Sequence, residues 1–170
     1  GNERVLKARL SDADFFWKTD TSTKIENFNE KLKKVLFYEG LGSLHDKTIR
    51  LSAVSKYFSS LFKVDVSLAR EACFLSKFDL VSEMVGEFPE LQGIMGGYYT
   101  KLNGKPNEIS NAIFDQYKPK GISNDMPKTK LGCMLSMVDN FDNLSGFFII
   151  NKKPSGSKDP FALRRAGYSI

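Results

Sequence analysis

Apolar residues recur at helical spacing along most of the chain. After the sequence TKIE at residues 23–26, which has the form of a capping box, the repeat continues to Gly40 and Gly42. The apolar positions of this stretch are Ile25, Phe28, Leu32, Val35 and Leu36. Because they lie mostly three or four residues apart, they predict a first helix with one buried face.

The same spacing predicts four more helices. One begins near Ser43 or Asp46, another begins near Ser67, a third covers residues 109–117, and the last covers residues 131–148. The helix near Ser43 presents one apolar face, formed by Leu51, Val54, Phe58 and Leu61. Helical character resumes at residues 161–166, after a turn-rich segment.

Residues 1–20 lack this regularity and are interpreted as two short extended pieces separated by Ser11 and Asp12. We therefore expect a mainly α-helical fold with a short extended N-terminal segment. We expect residues 1–20 to be the extended tail of a preceding domain, residues 21–150 to be a helical domain, and residues 151–170 to be a basic connector that starts the next helix.

Two acidic side chains fall on apolar stripes. Asp79 shares a helical stripe with Leu75, and Asp139 follows Leu135 at a spacing of four. A buried ionised carboxylate is costly unless it is paired or hydrogen-bonded. Both acids are therefore predicted to have partners in the fold.

Positive charge is concentrated near the end of the sequence. The formal net charge of the chain is +5, and residues 151–170 contain five basic residues against the single acid Asp159. The five are Lys152, Lys153, Lys158, Arg164 and Arg165. Clustered cations bind phosphate groups through counterion release, which makes these five candidate phosphate contacts, while a solvated terminal segment is the alternative.

Few other residues offer reactive chemistry. Cys73 and Cys133 are isolated within apolar stretches, which favours buried free thiols over a catalytic pair. His45 is the only histidine, and without a base histidine in register no nucleophilic triad is predicted. No apolar run is long enough to cross a membrane and no secretion signal opens the chain, so a cytoplasmic location is expected.

Three further motifs resemble ligand-binding sequences but are not assigned to ligand binding. Gly93, Gly96 and Gly97 follow helix-like sequence and lack the spacing of a dinucleotide loop. The sequence PSGSK at residues 154–158 lacks the ending and the earlier glycine of a phosphate loop. The aromatic cluster FFW at residues 15–17 suits stacking on unpaired bases, but packing against the helical body is favoured.

Several ungapped sequence segments resemble those of a known protein family. They are GNERV and RLSDA at residues 1–5 and 9–13, LGS and DKT at 41–43 and 46–48, EMVGEFPELQG at 83–93 and GSKDPFALRR at 156–165. In this order they resemble the beta subunit of bacterial glycyl-tRNA synthetase, of which the chain would be an internal piece. The resemblance implies an ATP-dependent ligase for glycine and tRNA-Gly. It also implies a heterotetramer of two alpha and two beta subunits, with ATP and Mg²⁺ on the alpha subunit and no cofactor in this piece.

The resemblance further implies that residues 21–150 form an HD-like helical domain, a relative of metal-dependent phosphohydrolases that use two histidines and two aspartates as ligands. The paired His-Asp ligands match Phe78 and Asp79, the later aspartate matches Asp139, and the first histidine falls near Lys47. Both histidines are therefore replaced. The dipeptide His45-Asp46 is interpreted as a chance match, because it lies at a helix start rather than inside a core helix.

The four matched positions predict a degenerate site without a metal, since a divalent metal needs several converging donors. We expect Asp79 and Asp139 to support the fold, with Lys47 or Lys77 as a counter-charge. The leading hypothesis is a non-catalytic module that binds tRNA and acts as a scaffold, and the five basic residues are assigned to tRNA contact from their charge rather than from the resemblance. The alternatives are a residual metal-dependent phosphohydrolase built on the two acids, and interdomain packing without RNA contact.

Overall fold

The computed structural model describes residues 2–119, 125–168 and 170. In chain order the elements are α1 (Asn2–Thr21), α2 (Ile25–Leu32), β1 (Leu36–Tyr38), β2 (Gly42–Ser43), α3 (Leu44–Phe62), α4 (Val66–Leu75), α5 (Glu83–Glu87), α6 (Ile94–Leu102), α7 (Asn107–Asp115), α8 (Lys130–Ile149) and α9 (Leu163–Tyr168). Single 3-10 turns cover Phe78–Val81 and Pro89–Leu91. The mainly α-helical class expected from the sequence is confirmed.

The core forms where α3, α4, α7 and α8 pack against one another. Three small residues of α4 are fully buried, namely Ala69, Ala72 and Cys73. Their size lets α3, α7 and α8 approach α4 closely. The large side chains that fill the space around them include Leu51, Ile113, Met134 and Leu135. Among the described residues, no helix is both long enough and apolar enough to span a bilayer.

The two longest core helices begin and end close to where the sequence predicts. Ser43 caps α3 in a capping box, since its Oγ accepts from the Asp46 N–H at 3.1 Å and the Asp46 carboxylate accepts from the Ser43 N–H at 2.7 Å. Thr129 caps α8 by accepting from the Gly132 N–H at 3.0 Å. Leu61 is an exception to the predicted buried face of α3, because its side chain is 68% exposed.

The extended N-terminal segment expected from the sequence is wrong, because residues 2–21 form helix α1. The helical repeat is carried by a sparse set of apolar positions that the alternating charges obscure: Leu6, Leu10, Ala13 and Trp17. Phe16 and Trp17 pack against the core, as predicted for the aromatic cluster, whereas Phe15 is 64% exposed. The proposed division of the chain at residues 20 and 150 stays a prediction.

The first predicted helix is shorter than expected, and its capping box does not form. Lys24 is the N-cap of α2, and its side chain makes no cap bond because an ammonium group has no acceptor. The Thr23 hydroxyl donates to Thr19 O near the end of α1. Residues 36–38 leave the helix and pair with β2 as a hairpin. Gly40 and Gly42 have φ of +84° and +79° in this hairpin, where residues with a Cβ are strained.

Candidate functional site

Asp139 is the centre of a buried group of charged side chains. Asp139 lies midway along α8, and Lys47 lies on α3. Lys77 immediately precedes the first 3-10 turn. The Nζ of Lys47 lies 2.9 Å from Asp139 Oδ1, and the Nζ of Lys77 lies 2.8 Å from Asp139 Oδ2. The two lysine side chains are 3% and 4% exposed. Each carboxylate oxygen therefore has its own buried ammonium group, and the structure uses both lysines that the sequence offers as counter-charges.

The Lys77 ammonium has further oxygen acceptors beside the carboxylate. It donates to Gln116 Oε1 at 3.0 Å and to the Tyr117 hydroxyl at 3.2 Å, and it lies 4.4 Å from the centre of the Tyr117 ring. Burial, together with the charges of Asp79 and Asp139, raises the pKa of Tyr117 well above its usual value. The phenol therefore stays neutral, and it serves Lys77 as an uncharged acceptor.

Lys47 joins the cluster to a second ion pair. Its ammonium donates to Asp142 Oδ2 at 2.9 Å and to Asn143 Oδ1 at 2.7 Å. Arg50 holds the same Asp142 carboxylate with two bonds, from Nε at 2.7 Å and from Nη2 at 3.1 Å, and its Nη1 donates to Leu41 O at 2.8 Å. Helices α3 and α8 are thus joined by two carboxylates and two cations in a continuous network.

The network determines the protonation of the groups around it. Burial raises the pKa of the Asp139 carboxyl, but the attraction of Lys47 and Lys77 outweighs burial and holds the pKa below its ordinary value. Burial, followed by the charge of Asp139, raises the pKa of Cys73 to about 12. Asp139 is therefore ionised near neutral pH, and Cys73 is a protonated buried thiol that is unsuited to nucleophilic chemistry. Cys133 is also a free cysteine but is only half-buried.

Asp79 lies just after α4 rather than on it, and it has a different set of partners. The fully buried carboxylate accepts the N–H groups of Gly93 at 2.6 Å and of Gly96 at 2.9 Å through Oδ2, so it caps the start of α6 from a distant part of the chain. Its Oδ1 has no hydrogen-bond partner among the described residues. Burial raises the pKa of the Asp79 carboxyl, and the two glycine N–H groups oppose that rise.

The glycines at and after the N-cap of α6 are explained by this contact and by packing, as the sequence predicts. Gly93 has φ of +80° at the N-cap position, which favours glycine. A Cβ on Gly96 would lie 2.9 Å from Asp79 Oδ2, and a Cβ on Gly97 would lie 2.5 Å from the ring of Phe114. No ligand role is needed to explain the sequence GxxGG.

Phe78, which is matched to the metal site, and the dipeptide His45-Asp46 are both engaged in packing or helix capping. Phe78 is fully buried, with its ring centre 5.8 Å from that of Phe28. His45 lies at the first turn of α3, edge-on to Phe74 at 6.1 Å, while its neighbour Asp46 is engaged in the capping box. This geometry supports the interpretation of His45-Asp46 as a chance match.

These residues do not fit a divalent metal centre. Both oxygens of Asp139 contact ammonium groups, Oδ2 of Asp79 holds two N–H groups, and Phe78 offers no donor. A metal ion at Asp139 would lie beside two like charges, and their repulsion opposes binding. Within the described ranges, no group of three or more histidine, cysteine, aspartate or glutamate side chains is arranged to hold a metal.

All five basic residues that the sequence groups together are exposed. Lys152, Lys153 and Lys158 lie in the segment between α8 and α9, and Arg164 and Arg165 lie on α9. The Arg164 guanidinium donates to Gly156 O, which closes the turn before α9. Arg165 has an exposed side chain that lines a cleft of about 460 Å³, shared with Asp139 and Lys118. The assignment of these residues to tRNA binding stays a prediction.

Sequence reasoning missed Arg50 and Asp142, although a signal for them was present. Lys47 and Arg50 are three residues apart on α3, and Asp139 and Asp142 are three residues apart on α8. Residues at this spacing lie on the same face of a helix. Two cations on one face and two acids on another, both beside core positions, indicate that the faces meet.

Comparison with known proteins places the chain among the subunits of aminoacyl-tRNA synthetases. It belongs to the glycyl-tRNA synthetase beta subunit family, whose model matches residues 1–170. Curated relatives named glycine-tRNA ligase beta subunit from Marinobacter nauticus, Pseudomonas savastanoi pv. phaseolicola and Chromohalobacter salexigens are 45%, 47% and 46% identical to it over 170 residues. The matches cover 100% of this chain but only 24%, 25% and 25% of the relatives, so the chain spans about a quarter of their length.

Proposed function

We propose that this chain is a section of the beta subunit of glycine-tRNA ligase and acts in it as a non-catalytic module that binds tRNA-Gly and serves as a scaffold. The whole enzyme, an assembly of two alpha and two beta subunits in the cytoplasm, attaches glycine to tRNA-Gly with ATP. The ATP and Mg²⁺ chemistry is assigned to the alpha subunit. The family match over all 170 residues supports the ligase assignment.

One observation carries the non-catalytic role: both acids that a metal site would need are already engaged by internal donors. Asp139 is ionised between two ammonium groups, and Asp79 caps α6. A catalytic acid must be free to exchange protons or ligands during the reaction. Asp139 meets that requirement only if it loses an ammonium partner, and Asp79 has only its buried Oδ1 without a hydrogen-bond partner among the described residues.

Exposed positive charge supports contact with tRNA. Lys152, Lys153 and Lys158 are exposed and carry no acidic partner in the described part of the chain. The Lys153 ammonium lies 5.9 Å from the ring centre of Phe148, which is itself 44% exposed. A cation beside an exposed aromatic ring offers both a phosphate contact and a stacking surface.

The test is a titration of the two-subunit enzyme with labelled tRNA-Gly, followed by fluorescence anisotropy at several salt concentrations. Joint replacement of the five basic residues by Ala is expected to weaken binding by about 10- to 100-fold and to reduce the salt slope, because fewer counterions are released. The matched control removes five exposed lysines elsewhere, Lys7, Lys24, Lys34, Lys56 and Lys101. Its expected effect on affinity is about twofold or less.

Any of four outcomes would overturn the proposal. Unchanged affinity and salt slope in the fivefold variant would leave interdomain packing as the function, and an equal effect of the control would reduce the result to net charge. Phosphoester hydrolysis that requires added Mn²⁺ and is lost in Asp79→Ala would favour the phosphohydrolase alternative. Stoichiometric metal bound through Asp79 and Asp139 would also contradict the argument from engaged carboxylates.

A further inference from the structure

The first half of α1 is exposed to solvent, and its contact with the helical body includes the Arg9 guanidinium, which lies 5.3 Å from the centre of the Phe88 ring. Residues 2–12 are exposed on every side of the helix, whereas Ala13, Phe16 and Trp17 pack against the core. Short helices without tertiary contacts are marginal in water, since most helical stability in proteins comes from packing of an apolar face. An exposed helical segment therefore needs a surface to pack against.

The apolar stripe of α1 continues into this exposed half. Leu6, Leu10, Ala13 and Trp17 follow at spacings of four, three and four. At 3.6 residues per turn these side chains lie within about 60° of one another around the helix. Trp17 packs 5.7 Å from the ring centre of Tyr99, whereas Leu6 and Leu10 are 60% and 64% exposed. The face that anchors α1 to the core is thus uncovered over its first turns.

We propose that this uncovered face, formed by Leu6 and Leu10, is the docking surface for a part of the same beta subunit that lies outside these 170 residues. Contiguous exposed apolar surface marks protein contacts rather than RNA contacts, because RNA presents charged phosphates. The relatives are about four times as long as this chain, so most of such a subunit is available to cover the stripe. A covalently linked segment is also present at high effective concentration.

Docking of α1 is independent of tRNA binding and can be measured in the absence of tRNA. Amide hydrogen exchange of residues 3–12 is compared between this 170-residue chain and a full-length beta subunit that contains it. We expect these amides to exchange about 100-fold more slowly in the full-length subunit, because docking suppresses local fraying. Equal exchange in the two proteins would overturn the proposal. So would protection that appears only with the alpha subunit, or protection of the short chain that grows with its concentration.

A matched pair of variants identifies the face. Leu6→Glu with Leu10→Glu keeps the helix propensity but places charge on the stripe, and is expected to abolish the protection in the full-length subunit. Phe15→Glu changes a residue that is 64% exposed on the opposite side of α1, and is expected to leave the protection intact. Equal loss in both variants would show a general effect on the helix and would contradict docking through this face. Affinity for tRNA-Gly is measured on the same variants, so failure of either proposal is recognised separately.

Discussion

Removal of the Asp139 carboxylate is expected to be the most costly single change to the buried charge network. In Asp139→Asn the side chain keeps nearly its size, but the ammonium groups of Lys47 and Lys77 lose the anion they share. Lys47 retains Asp142 as a partner. The remaining hydrogen bonds of Lys77 go only to neutral oxygens, so the variant leaves a buried charge poorly compensated.

The magnitude follows from burial. Removal of one partner from a buried ion pair costs about 3–5 kcal/mol, and the lysine side chains here are only 3% and 4% exposed. The folded-state pKa of Asp139 lies below its ordinary value, so the carboxylate stabilises the fold above the unfolded-state pKa, and this contribution is lost as pH falls through the folded-state pKa. We therefore expect a loss of about 3–5 kcal/mol near neutral pH that begins to shrink below about pH 4.

Urea unfolding of the chain measures this difference, with Lys105→Met as the matched control. Lys105 and Glu71 form an ion pair at the same 2.8 Å, but their side chains are 31% and 36% exposed. Solvent screens such a pair, so its loss is expected to cost less than about 1 kcal/mol. The reasoning is refuted if Asp139→Asn costs no more than the control, or if its cost does not change on acidification.

A compensated variant separates charge from packing. Lys47→Met, Lys77→Met and Asp139→Leu together remove all three charges while keeping similar volumes, and Arg50 and Asp142 still pair with each other. Buried ion groups replaced by apolar side chains are often neutral or stabilising, so the triple variant is expected to be more stable than Asp139→Asn alone. If the triple variant lost as much stability as the three single variants added together, the three side chains would not share one electrostatic interaction, and the reasoning would be contradicted.

Two further predictions concern α6 and its cap. Burial raises the pKa of Asp79 in the fold, so its contribution to stability is full below the unfolded-state pKa and declines as pH rises through the folded-state value. The urea midpoint of the chain minus that of Asp79→Asn should therefore decrease as the pH is raised from about 4 to neutrality. An increase in this difference over the same range would contradict the assignment. Gly97→Ala places a Cβ 2.5 Å from the Phe114 ring and is expected to cost about 1–3 kcal/mol in thermal or urea unfolding. Gly86→Ala, which meets nothing within 4 Å in α5, should be neutral or stabilising by about 0.5–1 kcal/mol, and equal losses in the two variants would contradict the packing argument.

Features encoded by local sequence were predictable. The capping box at Ser43 and the long apolar repeat of α8 place these helices close to their observed bounds, because cap and period act within a few residues. Asp79 and Asp139 stand out as acids on apolar stripes, and that conflict alone requires partners for both.

Features decided by tertiary contact were not predictable from the same patterns. The N-terminal half of α1 has little contact with the body, so its apolar positions are sparse and the alternating charges suggest extended chain. Thr23 has the sequence of a cap but hydrogen-bonds to the end of α1, because two helices compete for the same side chain. Asp20 accepts the N–H groups of Glu83 and Met84 at 2.9 and 3.0 Å, a cap supplied from a position more than 60 residues earlier that no local pattern reveals.

The two buried acids show why the same residue type has different chemical prospects in one core. A carboxylate in a dry interior is stabilised by a metal, by a cation, by aligned N–H groups or by protonation. Asp139 has two ammonium groups and is held ionised, whereas Asp79 has two N–H groups from α6 and a raised pKa. A metal would have to displace both lysines from Asp139 and would compete with the helix cap for Asp79. Because each displacement exposes buried charge or frees a helix end, the stability of the core opposes metal binding at this position.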